Sequence, residues 1–171
     1  SYNIDLNNDD YISQYLFFNK IDDKYFYLNL AQIEFNAEQL GKSCGNFHIA
    51  VKIVRAQHID GVDDLRDKNQ LLKAQSYIFA EEYKNDSNVQ GPDFKFVDIN
   101  GMGYLSENAT VGKAYPRHIF FCAIDHRHAL MIDVTFEGFI PMGSPFPPDL
   151  HEACMDVVKD FLSHIELSPR D

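Results

Sequence analysis

The sequence predicts an α+β fold, with helices layered on a mostly antiparallel sheet. Three stretches predict it. Residues 149–165 place Leu150, Ala153, Cys154, Val157, Val158, Phe161, Leu162 and Ile165 at i, i+3, i+4, i+7 spacing, which draws one apolar stripe along a helix. Residues 128–138 alternate, with Leu130, Ile132, Val134 and Phe136 on one side and Asp133, Thr135 and Glu137 on the other, as a strand requires. Residues 117–124 are nearly all apolar, the pattern of a central strand buried on both faces. Strict β–α alternation is missing, which argues against a doubly wound parallel sheet.

The elements follow in order. Residues 1–10 are polar, and Asp10 is placed to cap a short helix from Tyr11 to Phe18. Residues 24–35 read as a strand, with Phe26, Leu28 and Leu30 on one face and Tyr25, Tyr27 and Asn29 on the other. Residues 36–45, with Gly41 and Gly45, read as a connection to a second strand whose Phe47, Ile49, Val51 and Ile53 share a face. These two strands are expected to pair antiparallel across a long loop. After Asp60-Gly61, residues 63–84 read as a long helix, with Leu65, Leu72 and Phe79 seven apart, joined by Leu71, Ile78 and Tyr83. Asp63 and Asp64 suit its N-terminus, where the helix dipole favours negative charge. Phe94–Ile99 is a short strand, Gly101 and Gly103 flank a turn or bulge, and Tyr104-Leu105 starts a further strand. Asp125-His126-Arg127 supplies a hairpin turn before residue 128. A Pro/Gly-rich loop, Pro141–Pro148, leads to the last helix, whose start Asp149-Leu150-His151-Glu152 reads as a capping box with Asp149 at the cap.

Composition bounds the function. At 171 residues and 45% apolar, the chain suffices for one domain, 1–171, that buries roughly two-thirds of its unfolded surface. No apolar run reaches the length of a transmembrane helix. A net charge of -11 repels phosphate backbones and anionic lipid, so neither nucleic acid nor membrane is an expected partner. The same charge attracts basic proteins, although solubility alone also accounts for it. Three cysteines form no disulfide framework. Cys122 and Cys154 read as buried small hydrophobes, whereas Cys44 falls in a turn, where it is open to reaction or pairing. The chain starts at Ser1 without a methionine, which reads as removal of a signal or other N-terminal segment, or as a trimmed chain. Asn85 and Asn108 head glycosylation-type triplets, a pattern that chance often produces.

The candidate sites are weak ones. Asp5, Asn7 and Asp9 match the opening of a calcium loop, but Asp10 and Leu16 stand where the loop needs Gly and Glu, so a solvated acidic terminus is the simpler reading. His126 and His128, beside Asp125, share strand spacing and could grip a metal if His118 reached across the hairpin; an ordinary polar hairpin tip is the simpler reading. Cys44 and His48 are a thiol and imidazole four apart, with no support for contact, and Gly143-Ser144 lacks a nucleophile elbow. Gly101-Met102-Gly103 lacks the spacing of a phosphate loop. The loop Ile140–Pro148 sets Met142, Ser144 and Phe146 among prolines, which suits a stiff recognition surface, or tucks those side chains beneath the last helix.

Phe161-Leu162-Ser163-His164-Ile165-Glu166-Leu167, behind the strand Ala129–Phe136, resembles the PsbP-like family, in which a strand pair is followed by a helix ending in a Ser-Ile-type step into a last short strand. The resemblance covers the last third of the chain, and the proline-rich stretch before the last helix has no counterpart in it. It implies a layered α/β/α sandwich and a non-enzymatic binding role; some bacterial members resemble immunity proteins that block secreted toxins. The expectation is therefore a binding protein without cofactor or bound metal, acting by occlusion of a protein partner, a cognate toxin or effector. Asp125, His126, Arg127, Met142, Ser144 and Phe146 are its expected contacts, and the periplasm its expected compartment, with the cytoplasm as alternative. The competing expectations are a metal-dependent or thiol enzyme built on His118, His126, His128 or Cys44, and an accessory protein of an envelope complex.

Overall fold

The computed structural model describes residues 19–21, 25–39, 42–111, 115–137 and 148–167. Within them the chain is α+β: seven strands form one sheet, and two helices pack on it. The strands are β1 (Asn19–Ile21), β2 (Tyr25–Gln39), β3 (Lys42–Ala56), β4 (Gln90–Ile99), β5 (Met102–Val111), β6 (Tyr115–Ala123) and β7 (His128–Glu137). The helices are α1 (Lys68–Glu82), between β3 and β4, and α2 (Pro148–Ser163), after β7. The strand order is β1-β2-β3-β7-β6-β5-β4, and every pairing is antiparallel. Two meanders, β1–β3 and β4–β7, are thus joined along the β3–β7 seam.

The alternation of β7 sorts the core into two clusters. Ala129 and Met131 face one way and join Val54, Ile119, Phe121 and Leu105 against Leu71, Ala74 and Ile78 of α1. Leu130, Ile132, Val134 and Phe136 face the other way and join Phe47, Ile49, Phe120 and Tyr104 against Cys154, Val158 and Leu162 of α2. One helix therefore covers each face. Strand β6 is apolar on both sides because it lies between β5 and β7 under both helices.

Several expected boundaries move. The segment expected as a loop, 36–45, belongs instead to the strands: β2 runs to Gln39 and β3 begins at Lys42, so Cys44 lies in β3 rather than in a turn. Leu30 does not share the face of Leu28, because the register slips between Asn29 and Ala31 and leaves Leu30 exposed. Helix α1 starts at Lys68 and not at 63. Three aspartates compete for its N-terminus, and Asp67 caps it, accepting from the Asn69 and Gln70 amides. The Asp63 and Asp64 amides are instead turned toward Gln70 Oε1. Leu65 is buried, but in the turn before the helix, so the seven-residue repeat gives way to a stripe of Leu71, Ala74, Gln75, Ile78 and Phe79.

Strand β7 is more deeply buried than its alternation implies, since Asp133 on its polar side is also buried. Helix α2 starts at Pro148, so Asp149 lies in the first turn rather than at the cap. A proline with fixed φ is preorganised for that opening position. Its buried stripe is narrower than the sequence spacing draws: Val157 is 40% exposed and Leu162 only 1%. The expected helix Tyr11–Phe18 lies outside the described residues, as does all but Pro148 of the expected loop Pro141–Pro148.

Truncation of Leu162 empties a site enclosed by sheet and helix, so Leu162→Ala is expected to cost about 2–5 kcal/mol in urea unfolding. Val157→Ala, on the same helix, is expected to stay within about 0.5 kcal/mol of the parent.

Candidate functional site, a loop-lined polar cleft

Where β3 ends, the chain must turn away from the sheet to reach α1, and two bonds decide how. The Ala56 amide donates to Arg127 O and the Leu65 amide to His126 O, both at 3.0 Å, so the β3–α1 loop is stitched to the tip of the β6–β7 hairpin. Ile59 and Leu65 are buried as anchors. The chain around them arches outward, with His58 just before Ile59 at φ 56° and Gly61 between the anchors at φ 69°, the left-handed values that let so short an arch close. The arch and the hairpin tip enclose a cleft of about 480 Å³ lined by residues 56–63, His126 and Arg127. His58, Asp60, Asp63, His126 and Arg127 are exposed around it.

The three hairpin residues expected as contacts divide their work. Asp125 is turned inward. Its Oδ1 accepts from the Arg127 amide at 2.7 Å and the His128 amide at 2.8 Å, and His128 Nδ1 lies 2.8 Å from Oδ2. Burial pushes this carboxyl up, but those hydrogen bonds outweigh it and hold it below the ordinary range. His126 and Arg127 serve the fold through backbone groups, their carbonyls and the Arg127 amide, and their side chains stand exposed at the cleft. Nearby, Asp64 is held at about 2 by its hydrogen bonds from Arg66. Met142, Ser144 and Phe146, like Asp5, Asn7 and Asp9, lie outside the described residues.

His118 does not reach the hairpin tip. It pairs across the sheet with Val134, six residues along β7 from His128, which is about 20 Å at strand rise. The three-histidine grip on a metal is therefore not formed: His128 is buried against Asp125, and His126 stands in solvent. Cys44 and His48 are both in β3, four residues apart and so about 13 Å along an extended chain. Cys122 and Cys154 are buried thiols whose pKa values burial raises, as the sequence leads one to expect. Asn108, half-buried in β5, holds the His118 ring by a hydrogen bond.

Two polar clusters escape the sequence pattern because their members are scattered along the chain. On the α1 face, Lys52 Nζ donates to Asp133 Oδ2 at 2.6 Å, and Arg117 Nε lies 3.5 Å from Asp133 Oδ1. Arg117 Nη1 lies 3.5 Å from Glu82 Oε2 and donates to the Tyr83 hydroxyl. Burial alone would lower the guanidinium pKa, but Asp133 and Glu82 raise it. Glu107, 4% exposed, is pushed up to about 7 by burial, reinforced by Glu82 and Asp133 and opposed by Arg117. On the α2 face, His118 Nε2 meets His151 Nε2 at 2.7 Å, and Asn108 Oδ1 receives His118 Nδ1. Burial first, and His151 second, lower His118 to about 4. The signal that could have found these groups is modest: charged residues placed mid-strand, at positions 107, 117 and 133.

Among the described residues, no helix is long and apolar enough to cross a membrane, and no group of three or more His, Cys, Asp or Glu side chains is arranged to hold a metal. Neither protein-family models nor curated proteins match this sequence.

The raised Glu107 carboxyl sets a pH dependence. Its folded value lies above the ordinary 4.5, so its contribution to stability is complete below that value and lost as pH rises toward about 7. Glu107→Gln is expected to remove that loss. Urea unfolding at about pH 8 should find the variant more stable by about 2 kcal/mol, and at about pH 4 the two should be alike.

Proposed function

We propose that the chain is a non-enzymatic binding protein that engages a protein partner through the cleft between the β3–α1 arch and the β6–β7 hairpin. One observation supports this above the others. The cleft's backbone is fixed by bonds to the sheet, while His58, Asp60, Asp63, His126 and Arg127 stay exposed around it. A surface held in its binding shape before encounter loses little entropy on association. The net charge of -11 favours a basic partner and speeds its approach.

In its sharper form the proposal is an inhibitor of the immunity type, acting in the periplasm by covering the active site of a secreted toxin. The PsbP-like resemblance of the last third of the chain motivates that form. Occlusion asks of the protein a stiff, charged, loop-borne surface and no reacting groups. The reading as a metal-dependent or thiol enzyme has less support, because His118, His126, His128 and Cys44 fall in separate places along the sheet.

The test is capture of the partner from the source organism on the immobilised chain, followed by titration of the purified pair. A stoichiometric basic protein is expected, bound less tightly as salt rises. Asp60→Lys with Asp63→Lys should keep the fold and weaken binding by on the order of 10-fold or more. No stoichiometric partner, or a double variant that binds like the parent, sinks the proposal.

A further inference from the structure

Strands β4 and β5 are joined by Asn100 and Gly101 alone, between the paired ends Ile99 and Met102. Both residues carry positive φ, 53° and 81°, as a two-residue type I′ hairpin turn requires. Asn100 is the only asparagine of the chain followed by glycine. Without a Cβ, the glycine amide nitrogen is unhindered toward the side chain before it. Both residues are exposed, and the space where a Gly101 Cβ would stand is open, so water reaches the turn. The turn also holds a helix. Asn100 Nδ2 donates at 2.9 Å to the carbonyl of Ser163, the last residue of α2. Such a carbonyl has no partner inside its own helix. The closing bonds of α2, from the His164 and Ile165 amides, go to Phe161 O and Leu162 O and leave Ser163 O to Asn100.

We propose that Asn100 is a site of spontaneous deamidation, guarded by the docked end of α2 and released when that end opens. The Gly101 backbone nitrogen, its proton taken by base, attacks Asn100 Cγ. The Cγ–Nδ2 bond breaks, the leaving nitrogen takes up a proton and departs as ammonia, and a five-membered succinimide closes. Water then opens the ring. Cleavage of the new N–Cγ bond leaves aspartate; cleavage of the original N–C bond leaves isoaspartate, with the chain rerouted through Cβ and Cγ. Water is the sole co-reactant, and nothing is oxidised or reduced. In the folded chain both reacting groups are engaged. The Gly101 amide donates to Asp98 Oδ1 at 3.0 Å, and the Asn100 carboxamide is turned to Ser163. Ring closure therefore waits on local opening. The product does not regain the contact. A carboxylate has no hydrogen to donate, and at a helix C-terminus it meets the negative end of the dipole. The change runs one way and leaves the C-terminal end of α2 without its tie to the β4–β5 turn.

The experiment incubates the purified chain in mildly alkaline buffer, folded and in urea. Intact mass follows the exchange of amide for acid, and a peptide map with enzymatic methylation of isoaspartate places it. Isoaspartate at Asp60, which also precedes a glycine, arises without a mass change and is told apart by that. In urea, Asn100 should convert before any other asparagine, and Gly101→Ala should abolish most of that conversion. The folded chain should convert at the same residue, slower by on the order of 10-fold or more. Asn100→Asp, which makes the aspartate product directly, should lower Tm by about 2–4 °C and speed amide exchange at the end of α2. Conversion in urea that is absent at Asn100, or earlier elsewhere, overturns the site. A folded chain that converts as fast as the unfolded one overturns the guard, and an Asn100→Asp variant as stable as the parent overturns the coupling to α2.

Discussion

Strand β7 lies between β3 and β6, and without that placement the chain would have two separate antiparallel meanders and no common core. All ten of its residues pair with β3 and residues 129–134 also pair with β6, and nine of the ten are buried or half-buried. Its odd residues look toward α1 and its even residues toward α2, so a one-residue slip would exchange the two cores. Ile132 and Val134, fully buried, sit where α2 presses on the sheet. The two helices are placed by this strand more than by anything in their own sequence.

The same strand carries the most demanding polar group. Asp133, 6% exposed, is held between Lys52 of β3 and Arg117 of β6, one cation from each neighbouring strand. A buried pair gains little over apolar packing, but loss of one partner strands a charge in a medium that solvates it poorly. The triad therefore favours the observed register across both seams, because a shifted β7 would leave two cations facing apolar side chains. Glu107 stands next in line on β5 with burial working against its charge. The α1 face of the sheet is thus apolar under the helix and charged beyond its C-terminal end, where Glu82 and Tyr83 close the cluster.

The proposed binding cleft lies at one end of the seam rather than along it. At the hairpin end of β7, Asp125 fixes the turn, and the turn's carbonyls fix the β3–α1 arch. The chain thereby spends backbone groups on rigidity and keeps side chains for solvent. On the α2 face, the histidine pair links β6 to the helix that leads away from β7. The two places lie about 20 Å apart along the sheet and share no residue, so one can be altered without disturbing the other.

Local pattern was enough for β6, β7 and the buried stripe of α2. The alternation of Leu130, Ile132, Val134 and Phe136, the apolar run through Phe120 and Phe121, and the spacing of Cys154, Val158 and Leu162 each report a periodicity that the backbone imposes on side-chain direction. The hairpin turn at Asp125–Arg127 was legible for the same reason. Three things were not. The start of α1 depended on which of several aspartates reached the free amides, a competition that sequence spacing leaves open. The burial of Asp133 and Glu107 depended on strand order, because a polar residue on an alternating strand reads as solvent-facing until a neighbour is placed over it. The meeting of His118 with His151, 33 residues apart, and the enclosure of the cleft by two loops arose only when α2 and the β3–α1 arch docked on the sheet. Sequence by itself determined the direction each side chain takes from its own backbone; the tertiary structure decided what stands opposite, because contacts between distant segments obey strand order and not local period.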